Sequence, residues 1–125
     1  DEDRLLPSSE SYVTSLKWMK DGNKLAISDS DHSIVIWDVE KSKCLAKIKR
    51  HNSRVGALAW NGVDLLSSGS LNGTILNHDI RSMKLINEFN YHTREICGLK
   101  WSSSGRFLAS GADDCNVCIW DISAL

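Results

Sequence analysis

Ser110-Gly111-Ala112-Asp113-Asp114-Cys115-Asn116-Val117-Cys118-Ile119-Trp120-Asp121 is the stretch on which the fold turns. It joins a small-residue turn and an acidic pair to an apolar run closed by Trp120-Asp121. Two weaker copies lie upstream: residues 28–38 close on Trp37-Asp38, and residues 68–79 close on His78-Asp79. The closing aspartates, Asp38, Asp79 and Asp121, follow one another at 41 and 42 residues. A repeat of that period, with several short strands in each unit, marks an all-β propeller whose blades are units of an array.

Working outward, each unit opens on a first strand that ends in tryptophan: residues 13–18, 55–60 and 96–101, closing on Trp18, Trp60 and Trp101. Glycine-bearing turns follow, at Gly22, Asn61-Gly62 and Ser104-Gly105, where a residue free to take positive φ is needed. Second strands are expected at 24–28, 65–68 and 107–110, and third strands at 33–37, 74–79 and 116–121. In Ile34-Val35-Ile36-Trp37 four apolar residues run together. A sheet with one wet face would alternate, so this strand is predicted to be covered on both sides, as a blade between neighbours is. Outer strands are expected at 44–48 and 84–89, the first flanked by Lys43, Lys47 and Lys49, which suit a charged sheet edge. The units are then a linker at 1–11, blades at 12–50 and 51–91, and an incomplete blade at 92–125 that lacks its outer strand. Residues 4–6 could be the end of a preceding strand. Propellers close with about 4–8 blades, so three blades leave two apolar faces open. The chain is expected to be a piece of a longer propeller, or to close its ring with other chains.

Composition excludes several functions. The formal net charge is −1, from 15 basic and 16 acidic side chains mixed along the chain. That gives no basic block for nucleic acid. Nothing approaches the ~18 apolar residues of a membrane span, and residues 1–4 are not the opening of a signal peptide. No nucleic-acid or membrane partner is expected, and the cytoplasm and nucleus are the expected compartments. Of the cysteines, Cys44, Cys97, Cys115 and Cys118, the last two form a C-x-x-C. On an extended strand their sulfurs diverge, and no second pair completes a zinc set. They are expected to be small buried strand residues, with no metal and no cofactor. No phosphate-binding loop is present, since Ser67-Ser68-Gly69-Ser70 lacks a following Gly-Lys.

His51 and His92 stand 41 residues apart, in the same slot of their units. With Ser110 and Asp114, His92 has the residue types of a hydrolase triad. The slots nevertheless recur elsewhere with members missing, which a scaffold tolerates and a catalytic site does not. The second unit keeps His51 and Ser68 but has Asn72 for the acid and His78 for the tryptophan. The first has Asp31 and Trp37 but Ser9 and Ile27 in the other two slots. The chain is read as non-enzymatic.

These residues resemble WD repeats, in which an Asp, a His, a Ser and a Trp form a hydrogen-bonded tetrad, here Asp114, His92, Ser110 and Trp120. More narrowly, residues 54–61, 67–70, 78–81 and 95–101 resemble the Fizzy family, the WD-repeat activators of the anaphase-promoting complex. The match runs over roughly residues 12–121 and looks like the second to fourth blades of a seven-bladed ring. It implies a substrate-recruiting adaptor that binds degrons (D box, KEN box and ABBA motif) and brings protein substrates to that ubiquitin ligase. Its implied partners are ligase subunits and checkpoint or inhibitor proteins. Family members read the KEN box partly with an Asn-Asp-Asn turn, where this chain has Asp113-Asp114-Cys115. An Asn amide donates, whereas Asp only accepts and repels the glutamate of a KEN peptide. A WD-repeat scaffold that does not read the KEN box is therefore the alternative. Tyr12, Arg54 and Glu95 open the three first strands and are expected on the same rim as Asp113 and Cys115. There Arg54 and Glu95 either pair with one another or contact peptide.

Overall fold

In each unit a glycine takes the turn after the tryptophan-ended strand: Gly22, Gly62 and Gly105 have φ of 86°, 64° and 75°. These turns return the chain on itself, and meander sheets follow. The computed structural model describes residues 11–20 and 22–124. The first sheet has β1 (Val13–Trp18), β2 (Lys24–Asp29), β3 (Ile34–Asp38) and β4 (Lys43–Ile48). The second has β5 (Val55–Asn61), β6 (Leu65–Ser70), β7 (Ile75–Asp79) and β8 (Lys84–Phe89). The third has β9 (Ile96–Trp101), β10 (Phe107–Ala112) and β11 (Val117–Asp121), followed by a 3-10 turn at Ile122–Ala124. Every pairing is antiparallel between consecutive strands.

The first strands lie innermost: β1 packs on β5, and β5 on β9. Two cores lie between the sheets. Ala26, Ile34, Ile36 and Ile48 of the first sheet meet Val55, Leu58 and Leu66 of the second. Ala57, Ala59, Ile75 and Phe89 of the second meet Ile96, Leu99 and Leu108 of the third. At Gly69 this second contact is so close that a Cβ would lie 2.5 Å from the Ile96 side chain. Sheets stacked this way about their inner strands are the blades of a propeller.

Burial follows position in the stack. In β7, Ile75, Leu76, Asn77 and His78 are all buried, because this sheet has a neighbour on each face. In β3, burial alternates: Ile34 and Ile36 face the second sheet, while Val35 and Trp37 are half-buried. The two-sided cover expected for β3 is thus reached in β7 among the described residues. The outer faces of the stack carry Val13, Leu16 and Trp18 on one side and Val117 and Ile119 on the other, all exposed.

Two expectations change. Cys44, Cys97 and Cys115 are exposed and Cys118 half-buried, not buried strand residues. Cys115 is not on a strand at all. It occupies a left-handed turn position, φ 70°, where the chain reverses between β10 and β11. The second strands also run one to two residues further than their sequence suggested, to Asp29, Ser70 and Ala112. The reason is that Ser and Gly there still pair in the ladder. Residues 1–10, with the strand remnant and most of the linker, lie outside the described residues.

Candidate functional site

All three first strands begin at one end of the stack, so Tyr12, Arg54 and Glu95 arrive at one rim. Arg54 stands between the other two. Its guanidinium donates to the Tyr12 hydroxyl at 3.2 Å and to Glu95 Oε2 at 3.1 Å. Arg54 and Glu95 thus pair with one another, and their side chains are 36% and 29% exposed. Tyr12 and Glu95 together raise the Arg54 pKa further. Gly56 makes room for this pair, since a Cβ there would lie 3.2 Å from Glu95 Oε2.

The β10–β11 turn closes on the same rim. The backbone N–H of Asp113 donates to the Glu95 carbonyl at 2.9 Å. The Asp113 carboxylate points outward, 3.9 Å from Arg94. Its neighbour points inward. Asp114 accepts from His92 Nδ1 at 3.0 Å, from the Thr93 N–H at 3.0 Å and from the Asn116 N–H at 3.0 Å. Burial raises the Asp114 pKa, but the bonds from Thr93, Asn116 and His92 outweigh it and leave the carboxyl below its usual value. The chain of bonds continues through His92 Nε2 to Ser110 Oγ at 2.8 Å, and the Trp120 indole donates to Ser110 at 2.9 Å. Trp120 stacks on Phe89 of the second sheet at 4.1 Å between centroids. His92, Ser110, Asp114 and Trp120 are therefore one connected network. His92 and Ser110 are buried at 4% and 0% exposure; Ser110 borders a cavity with Gly56, Leu99 and Val117, which neither His92 nor Asp114 lines.

The second sheet departs from this plan. His51 Nε2 reaches Ser68 Oγ at 2.7 Å, and His78 Nε2 reaches the same oxygen at 3.2 Å. Asn72 does not take the aspartate's place. Its side-chain oxygen accepts from Ser70 Oγ and the Thr74 N–H, so His51 Nδ1 is buried without a partner. Burial first, and neighbouring cationic groups second, push both His51 and His78 down to about 4. In the first sheet Asp31 is exposed and pairs with Lys49 at 3.1 Å.

A second polar row was not anticipated. Trp101 donates to Ser67 Oγ at 3.0 Å, Ser67 donates to Asn77 Oδ1, and Asn77 donates to Asn87 Oδ1 at 2.6 Å. The corresponding residues of the first sheet are Ala26, Ile36 and Ala46. The clue in the sequence is Asn77, which breaks the apolar run of its third strand.

No group of three or more His, Cys, Asp or Glu among the described residues could hold a metal. Among the described residues no helix is long and apolar enough to cross a membrane.

Known proteins share this arrangement. The WD domain, G-beta repeat, matches residues 83–121, and the anaphase-promoting complex subunit 4 WD40 domain matches residues 5–63. The anaphase-promoting complex subunit cdc20 of Dictyostelium discoideum is 46% identical over 92% of this chain and 23% of its own length. The subunit cdh1 of the same organism is 46% identical over 89% of this chain and 15% of its own. Cell division cycle 20.1, cofactor of APC complex, from Arabidopsis thaliana is 42% identical over 89% and 24%. The chain therefore spans a quarter or less of these curated relatives. Among solved structures, a chain of the mitotic checkpoint complex superposes with a TM-score of 0.88 at 41% identity, over 94% of this chain and 36% of that one. The RRP9 WD40 repeats superpose at 0.91 with 26% identity, over 97% and 38%. The chain thus carries WD repeats of a propeller, and over its three repeats it is similar to Cdc20- and Cdh1-type proteins.

Proposed function

We propose that this chain is the substrate-recruiting part of an activator of the anaphase-promoting complex. It binds degron peptides of protein substrates at the rim where the first strands begin, and it works in the nucleus and cytoplasm. Ligase subunits and checkpoint or inhibitor proteins are its partners; nucleic acid and membranes are not. It does no chemistry of its own: the residues of catalytic type, His92, Ser110 and Asp114, are spent on one another and on Trp120.

The observation that carries this reading is the rim. Tyr12, Arg54 and Glu95 come from three successive blades and meet through two hydrogen bonds, with Asp113 tied to the Glu95 backbone beside them. A surface assembled from several rigid blades positions side chains for an extended peptide better than a single loop does.

One observation favours a narrower reading, a scaffold that does not read the KEN box. At residue 113 an outward carboxylate stands where the family places an amide, and Cys115 cannot supply the second amide. The left-handed backbone at Cys115 is one that Asn adopts with less strain. The test is fluorescence anisotropy of KEN, D-box and ABBA peptides on the intact protein and on the Asp113→Asn/Cys115→Asn double variant. The adaptor reading expects at least one parent–peptide complex and a gain of KEN affinity in the variant. If none of the peptides binds either protein, the reading fails.

A further inference from the structure

A cavity of about 420 Å³ lies between the first and second sheets, lined by Lys47, Ile48, Lys49, Arg50, His78 and Met83. Two replacements explain why it exists. Between the second and third sheets the equivalent place is filled by Trp120 stacked on Phe89. Register puts His78 in the slot of Trp120 and Ile48 in the slot of Phe89. An imidazole over an isoleucine occupies less volume than an indole over a phenyl ring, and the difference stays open.

The floor of the cavity is polar. His78 is 2% exposed. Its Nε2 is engaged with Ser68, and its Nδ1 makes no hydrogen bond among the described residues. The direction of the bonds through Ser68 decides what that nitrogen offers. In the third sheet they run from Trp120 through Ser110 and His92 to Asp114, because an aspartate ends the chain. The second sheet has no such acceptor, and His51 Nδ1 ends it unpartnered. A buried N–H without an acceptor is the rarer defect in folded proteins than an acceptor left short. The bonds therefore run the other way: His51 Nε2 donates to Ser68, and the Ser68 hydroxyl donates to His78 Nε2 at 3.2 Å in preference to the Leu76 carbonyl at 3.5 Å. That leaves a proton on His78 Nδ1. Beside it stands Arg50, whose charge acts on the ring and which has no ion-pair partner among the described residues; Lys47, in register with Val35, lies on the other face of β4, and Lys49 is held by Asp31.

We propose that this cavity binds a phosphate monoester, presented as a phosphorylated side chain by a partner peptide. The dianion has three equivalent oxygens; the Arg50 guanidinium can hold two of them through its fork of N–H groups, and His78 Nδ1–H the third. A single carboxylate would leave part of this set unused. Ile48 and Met83 line the cavity with apolar surface for the ester's carbon chain. The assignment rests on how the blades pack and is independent of the adaptor reading.

The test uses the intact protein with two probes, inorganic phosphate and a hexapeptide bearing one phosphoserine, with its unphosphorylated form as control. Ring signals of His78 are followed by NMR, and peptide affinity by anisotropy. Both phosphate probes should move the His78 signals, and the phosphopeptide should bind at least tenfold tighter than its control. Arg50→Ala should weaken that binding at least tenfold. His78→Trp, which places in this slot the residue the third sheet already carries, should abolish it while the protein stays folded. The proposal is overturned if neither probe moves the His78 signals, or if the phosphopeptide binds His78→Trp as it binds the parent. Shifts with inorganic phosphate but none with the phosphopeptide overturn the assignment to a side chain.

Discussion

The second and third sheets share one register and differ in how each ends a buried chain of hydrogen bonds. In the third, four residue types complement one another from Trp120 to Asp114, and no buried side-chain nitrogen or oxygen of the four lacks a partner. In the second, Asn72 turns away, His51 Nδ1 is orphaned, and two histidines share Ser68. The comparison teaches that the repeat is held by backbone ladders and apolar cores. The polar chain is an addition that one blade can lose without losing the fold.

Acid should break the comparison most strongly. Each of His51 and His78 is depressed from the usual 6.5 to about 4. The unfolded chain takes up the proton first, so the stability these rings contribute is complete above pH 6.5 and lost as pH falls towards 4. For one histidine the amount is about 3 kcal/mol. The charged groups that act on the pair are His32 on His51 and Arg50 on His78, which offer no relief to a new positive charge. Asp114 behaves differently. Its lowered value keeps its contribution present above the usual 3.8, to be lost only below that. Hydrogen exchange followed from pH 7 to pH 5 should show second-sheet amides losing at least tenfold more protection than third-sheet amides. Equal loss in both sheets would contradict the assignment of these two rings as the acid-labile element.

The serines give the next largest contrast. Ser110→Ala deprives both the Trp120 indole and His92 of a partner, and should cost about 3 kcal/mol in chemical denaturation. Ser68→Ala removes the shared partner of two neutral rings, one of which borders a cavity open to water, and should cost about 2 kcal/mol. Equal costs would mean that the two networks are equally complete.

The sequence makes most of the fold legible, for a physical reason. A tryptophan at the end of each first strand, a glycine at each following turn and a 41–42-residue step all repeat, and repetition averages out local exceptions. Thus β1, β8 and β9 begin and end where their residue patterns predict. The site is less legible because its members act across blades. Nothing local in Arg54 says that its partners are Tyr12 and Glu95; register across three repeats brings the three to one rim, and it leaves both Arg54–Glu95 pairing and peptide contact open. The cysteines were misread because periodicity places a residue on a strand without saying whether another sheet lies over it. The row from Trp101 to Asn87 was missed because a lone Asn in a strand reads as a local exception. The three bonds of the row span 10, 10 and 34 residues.

Repairing the second sheet should sharpen the comparison by a smaller amount. Asn72→Asp can keep the Thr74 N–H bond, as Asp114 keeps that of Asn116, and turn its other oxygen to His51 Nδ1. One orphaned nitrogen gains an acceptor, worth about 1 kcal/mol, and the acid lability of the sheet should diminish with it. The same change gives the bonds through Ser68 an acceptor at the His51 end. His78 then becomes the donor to Ser68 and loses its proton at Nδ1. Phosphate binding at the cavity should weaken even though residue 72 does not line it. A stability gain with unchanged phosphate affinity would separate the two ideas.

The smallest effect on stability belongs to the rim, and there the two sheets cooperate. Arg54 and Glu95 are each about a third exposed, so water screens their attraction, and Arg54→Ala should move the denaturation midpoint only slightly. Binding should tell the opposite story. Arg54 is held from both sides, by Tyr12 and by Glu95, so its guanidinium meets a peptide without first losing rotamer freedom. Glu95→Gln frees one side of that clamp while leaving the arginine in place. If the rim reads peptides, Arg54→Ala should reduce degron affinity at least tenfold, with Glu95→Gln showing a smaller loss in the same direction. If the pair only fastens the second sheet to the third, both variants should bind as the parent does and differ from it only in the denaturation midpoint.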